Sequence, residues 1–204
     1  MSAQLPDLSL SDFLRLALQT IRRPREVCAY LTGLRLPRDV LWLVLATVTV
    51  VSVLVGQVTA LLLVPGADTI DGLFLANPLM MAAIQAVVMI ITVFAILWIG
   101  GAMGGKAGLN DILVVLAWLQ AVMILVQLVQ TVALLVAPIL AEIVTLIGLG
   151  LFLWLFTTSI AAIHKFENLA LVFVMIVVST LGISFALTLV LAILGVSLEV
   201  SGGV

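Results

Sequence analysis

Between Gly100 and Asp111 the chain places five glycines, Lys106 and Asp111 within twelve residues, flanked on both sides by long apolar runs. From Gly100, four residues lead to Gly105-Lys106, close to the G-x-x-x-x-G-K-[ST] pattern whose backbone cradles phosphate. The position that should carry a hydroxyl for Mg²⁺ is Ala107, and no upstream segment reads as the strand of a soluble βαβ unit. The alternative chemistry is conformational. Glycine reaches φ > 0 and lets backbone pack closely, so Gly100, Gly101, Gly104, Gly105 and Lys106 read as a tight, cationic turn between two membrane helices. Within it, Gly101 and Gly104 are expected to meet a neighbouring helix or hold the left-handed turn.

The other residue types suited to chemistry are sparse. Gln120, Gln127 and Gln130 fall on roughly one side of an apolar segment, with Gln120 and Gln127 seven apart. They suggest either a polar membrane face for a solute or ion path, or hydrogen bonds between helices. A transport site usually adds an ionisable group near mid-membrane, and this segment has none, which favours the second. Glu142 falls near the end of a span. Ser159 and His164 are five apart on one helix, on poorly matched faces, and no strained nucleophile turn surrounds Ser159. His164 is expected at headgroup level, in a turn. One His and one Cys within the chain make no His/Cys metal cluster. The expectation is a protein without catalytic residues, cofactor or metal.

Composition says what must position these residues. Of 204 residues, 65% are hydrophobic and 9% charged, and the mean hydropathy is +1.43. A soluble domain has about 25% charged residues, so the solvent for most of this chain is lipid. A hydrocarbon core of ~30 Å takes about 20 helical residues. The apolar runs divide into five spans, about 40–64, 79–103, 112–136, 138–162 and 169–198. Residues 112–162 are too long for one helix, and Pro138 supplies the break because it suits a helix's first turn. Ser52, Gly56 and Ala60 form a small-residue stripe on the first span. The loop around Pro65 to Gly72 reads as an acidic turn, its continuation dipping into the interface. The fold expected is all-α: a polytopic membrane protein with a cytoplasmic arm, residues 1–39, ahead of a five-helix domain, residues 40–204.

Charge fixes the orientation expected. Arg15, Arg22, Arg23, Arg25, Arg35 and Arg38 precede the first span, Lys106 joins spans two and three, and Lys165 joins four and five. With five spans all eight cations share one side, while Asp68, Asp71, Glu142 and Glu199 fall on the other. The positive-inside rule then puts the N-terminus in the cytoplasm and the C-terminus outside, as a multi-pass protein of the cell inner membrane.

Leu10, Phe13, Leu14, Ala17, Leu18 and Ile21 recur at helical spacing, predicting an amphipathic helix from Ser9 that ends at Arg22-Arg23-Pro24. This helix either lies on the lipid surface or docks on the bundle. Phe13, Arg22, Arg23 and Arg25 are its candidate contacts to lipid or a partner.

Leu36-Pro37-Arg38, Gly100-Gly101, Gly104-Gly105-Lys106-Ala107-Gly108, Asp111-Ile112-Leu113 and His164-Lys165-Phe166 together resemble a bacterial member of the Yip-one (Ypt-interacting protein) superfamily. That family's five-span plan with a cytoplasmic N-terminus agrees with the plan above. Its eukaryotic members are linked to Rab-type GTPases and vesicle traffic, and the Asp-Leu-Tyr-Gly-Pro motif of the eukaryotic Yip branch is absent here. The resemblance implies a non-enzymatic membrane scaffold or organising protein. The partners expected are the lipid bilayer and either a membrane protein or a further copy of the chain, with no nucleic acid. The alternative function is a small solute or ion transporter using the glutamines of the third span.

Overall fold

The computed structural model describes residues 9–63 and 77–193. The short polar tail before Ser9, the acidic turn with Asp68 and Asp71, and the end of the last span with Gly195 and Glu199 lie outside the described residues. Among those described, every element is a helix. Two short helices, α1 (Leu10–Arg22) and α2 (Pro24–Gly33), precede five long ones: α3 (Arg38–Leu63), α4 (Pro78–Ala102), α5 (Leu109–Val136), α6 (Pro138–His164) and α7 (Leu169–Ile193). The five are long and apolar enough to cross a membrane.

The ends of these helices follow from local chemistry. Ser9 caps α1, its hydroxyl accepting from the Asp12 N–H at 3.2 Å and donating to the Asp12 carboxylate at 2.6 Å. Asn77 caps α4 by accepting from the N–H groups of Leu79 and Met80, with Pro78 in the first turn where its missing N–H costs nothing. The α5–α6 break is where Pro138 places it. Ala137 alone, extended at φ −161°, joins the two helices.

Helix α5 is the centre, packed along α3 and α6 and touching α4 and α2. At its start six consecutive residues, Ile112 to Ala117, are buried, the pattern of a helix enclosed on all sides. Leu41 and Leu45 of α3, Val93 and Ile96 of α4, Leu155 and Ile160 of α6 and Val172 of α7 complete this core. All of them lie toward one end of the bundle. Farther along, α3 and α5 are joined by polar pairs. Ser52 Oγ donates to Gln127 Oε1 at 3.4 Å, and the Thr59 and Thr131 hydroxyls meet at 2.7 Å. The small stripe on α3 permits this approach, with Gly56 against the Gln127 amide, while Ala60 is exposed.

Candidate functional site

The end of the bundle that carries the core also gathers every cation. The α4–α5 turn, the α6–α7 turn and the arm meet there. Residue Lys106 donates its backbone N–H to the His164 carbonyl at 3.4 Å, and Arg38 Nε donates to Asn110 Oδ1 at 3.2 Å.

The glycine turn is built around His164. Gly104 holds φ +86°, which side chains rarely adopt. Its N–H donates to the Gly101 carbonyl at 3.0 Å, and that of Gly105 to the Gly100 carbonyl at 2.9 Å. Gly108 precedes α5, its N–H taken by the Asp111 carboxylate at 3.0 Å. Across the turn lies the His164 ring, 1% exposed. A Cβ on Gly100 or Gly105 would collide with that ring, whereas one on Gly101 would meet nothing. The close approach expected of Gly101 therefore belongs to Gly100 and Gly105, and the left-handed turn to Gly104. His164 is likewise no exposed turn residue; the missing side chains of two glycines create the space that buries it.

This geometry also argues against the phosphate-loop pattern. The backbone donors of Gly104, Gly105, Lys106 and Gly108 are spent on the turn, on His164 and on Asp111, so they cannot cradle an anion. The Lys106 side chain is exposed. His164 stacks on Phe166, with ring centroids 5.4 Å apart and planes 12° from parallel. Among the described residues its ring nitrogens have no well-formed hydrogen bond, although the Ile96 backbone lies beside the ring. Close packing against Phe166 and the two glycines holds this side chain. The adjoining turn is closed by Lys165, left-handed at φ 60°, and by the Phe166 N–H donating to the Ala161 carbonyl at 2.8 Å.

The arm docks beside this turn. Trp118 of α5 donates its indole N–H to Thr20 Oγ1 at 2.9 Å, and Phe13 sets its ring edge-on to Trp118 at 5.4 Å. Thr20 passes its own proton to the Leu16 carbonyl at 2.8 Å, so a fully buried hydroxyl is satisfied both ways. Val27, Cys28 and Leu31 of α2 are buried where that helix packs on α5 and α6. Burial pushes the Cys28 thiol above its ordinary pKa, with the Ser159 hydroxyl beside it pulling the other way. A buried thiol kept protonated is inert to alkylation.

Phe13 is thus a docking residue, while Arg22, Arg23 and Arg25 are exposed. Arg23 pairs with Glu26 at 3.3 Å, a surface bridge worth little. A second apolar stripe on α1, Leu10, Leu14, Leu18 and Ile21, faces outward.

The three glutamines of α5 do not form one lining. Gln127 turns to Ser52 on α3, and Gln130 donates to Thr145 on α6 at 2.7 Å. Gln120 alone faces a cavity of about 560 Å³ bounded by α4, α5, α6 and α7. Two paired glutamines fit interhelical bonding, worth ~0.6 kcal/mol each on average. Glu142 is exposed near the start of α6, at the opposite end of that helix from His164. Among the described residues no group of His, Cys, Asp and Glu could hold a metal.

No curated protein and no solved structure matches this chain. Residues 18–195 match the Yip1 domain, from within the arm through all five long helices. With that match covering most of its length, the chain belongs to the Yip family of membrane proteins.

Proposed function

We propose that the protein is a non-enzymatic membrane scaffold whose N-terminal arm binds the anionic surface of the cytoplasmic leaflet. The observation that carries this reading is the division of α1 into sectors. Phe13, Ala17 and Thr20 face the bundle, Leu10, Leu14, Leu18 and Ile21 face outward, and Arg15 and Arg22 are exposed beside them. A helix fixed to a bundle at the level of its cationic turns, with an unpartnered apolar stripe, suits the headgroup boundary. Apolar burial and attraction to anionic lipid then act together.

Each cation near an anionic leaflet contributes about 1 kcal/mol. Replacing Arg15, Arg22 and Arg25 by Gln in the full-length protein should therefore cut low-salt enrichment of anionic lipid on the order of 100-fold. Mass spectrometry of lipid retained by the purified protein reads this. Wild-type proteoliposomes should show no ion or solute flux above empty vesicles. Undiminished retention in the triple variant counts against the arm's role. A flux abolished by Gln120→Leu would replace scaffolding with transport.

The orientation we propose puts the cationic end in the cytoplasm and the C-terminus outside, in the cell inner membrane. Native Cys28 is a poor probe of this, since its burial prevents labelling from either side. In a Cys28→Ser background, Glu142→Cys should react with an impermeant maleimide on intact cells. Lys106→Cys should react only after permeabilisation. The reverse pattern would invert the topology.

A further inference from the structure

We propose that the cavity between α4, α5, α6 and α7 binds one uncharged amphiphile from the bilayer, with separate oxygen functions of its polar end hydrogen-bonded by Gln85 and Gln120. This goes beyond the arm's role and does not depend on it.

The cavity, about 560 Å³, lies in the range of sites that take a molecule the size of one drug or one lipid chain. Its walls are mainly aliphatic, aromatic and Met side chains, Met89, Met123 and Met175 among them, with Thr92, Ser179 and Thr180 supplying hydroxyls beside the two amides. Thioethers on flexible stems adapt to chains of variable shape. Among the described residues no charged side chain lines it, which selects against a phosphate or ammonium head inside. Access is lateral: α4 and α7 pack on the central helices and, among the described residues, have no substantial packing on each other, so the gap between them opens toward lipid.

What makes this a site and not a packing fault is the pair of amides. Gln127 and Gln130 each reach a hydroxyl on a neighbouring helix. Gln85 and Gln120 reach no described residue, and both face the cavity. Gln85 lies seven residues, or ~10 Å, from the start of α4, and Gln120 eleven residues, or ~17 Å, from the start of α5. Both are well inside the apolar span, where lipid offers no hydrogen bond and an unpaired amide is costly. Water could pair with these amides and hydroxyls but would leave the larger, apolar part of the wall unfilled. A neutral amphiphile with an ester and hydroxyls at one end offers oxygens to both amides, and its chain fills the remainder.

The experiment uses full-length protein and 1-oleoylglycerol carrying a diazirine in its acyl chain. Expected is saturable photolabelling at cavity residues such as Met89 and Met175, competed by unlabelled 1-oleoylglycerol. A diazirine phosphatidylglycerol should label only outward faces, without saturation. Gln85→Leu with Gln120→Leu removes two hydrogen bonds and should weaken the saturable labelling about tenfold or more. Ile176→Trp, which fills the cavity while leaving both amides in place, should abolish it. Labelling that does not saturate, spreads evenly over the outward faces of α4 and α7, or is unchanged in the Trp variant overturns the proposal. So does a cavity that retains only water in the wild-type protein.

Discussion

Gly100→Ala is expected to cost about 1–3 kcal/mol of stability, and to do so only while His164 is present. The added methyl would collide with the imidazole, which is enclosed and stacked on Phe166. With His164→Ala the obstacle is gone, and Gly100→Ala should then change stability by less than about 0.5 kcal/mol, apart from a helix-propensity gain. Gly105→Ala behaves differently. Its Cβ would meet both the ring and the Gly100 carbonyl, at 2.7 Å, so removing His164 relieves only part of the cost. Gly101→Ala should be silent. Thermal unfolding of the four single variants and the two double variants in detergent measures this. Additive effects of Gly100→Ala and His164→Ala would mean that the ring does not occupy the space ascribed to it.

Trp118→Ala should release the arm. It removes the indole donor to Thr20 and the surface against which Phe13 stands. Loss of a large aromatic from a packed site costs about 3–5 kcal/mol. If about half of that falls on the arm's attachment, local opening rises roughly 10- to 60-fold, at about 1.4 kcal/mol per decade. Limited trypsin cleavage at Arg22 and Arg25, both on the arm, reports opening directly; Arg23 precedes a proline and is resistant. Thr20→Val should act more mildly, roughly tenfold, by leaving a buried indole N–H without its acceptor. Trp118→Phe should resemble it. Unchanged cleavage in Trp118→Ala would show that the arm is held by α2 alone.

The spans could be read because lipid imposes length and apolarity on any crossing helix, and the break at Pro138 because proline has no donor. Eight cations on one side made the end at which the turns gather legible. What sequence could not supply was the partner of each face. Five glycines in one stretch are equivalent on paper. Only the ring of His164, distant in the chain, distinguishes Gly100 and Gly105 from Gly101. The chain's single imidazole opposite two glycines five apart was the signal available. On α1 the apolar arc was too wide for one surface, and small Ala17 and Thr20 at its edge marked where the bundle begins. The seven-residue spacing of Gln120 and Gln127 did imply a shared side of α5. Because α5 crosses several neighbours, that side meets a cavity at one level and α3 at another.

The single residue between α5 and α6 has a mechanical consequence. Ala137 leaves no slack for one helix to slide along the other, so the only freedom at that joint is rotation, like the pivot of a pair of calipers. At the far ends of the same two arms, Lys106 and His164 are tied backbone to backbone, and the ring of His164 sits under the glycine turn as a catch. Pivot and catch together make α5 and α6 a fixed frame. What is hung on that frame includes α4 and α7, whose separation sets the width of the gap between them.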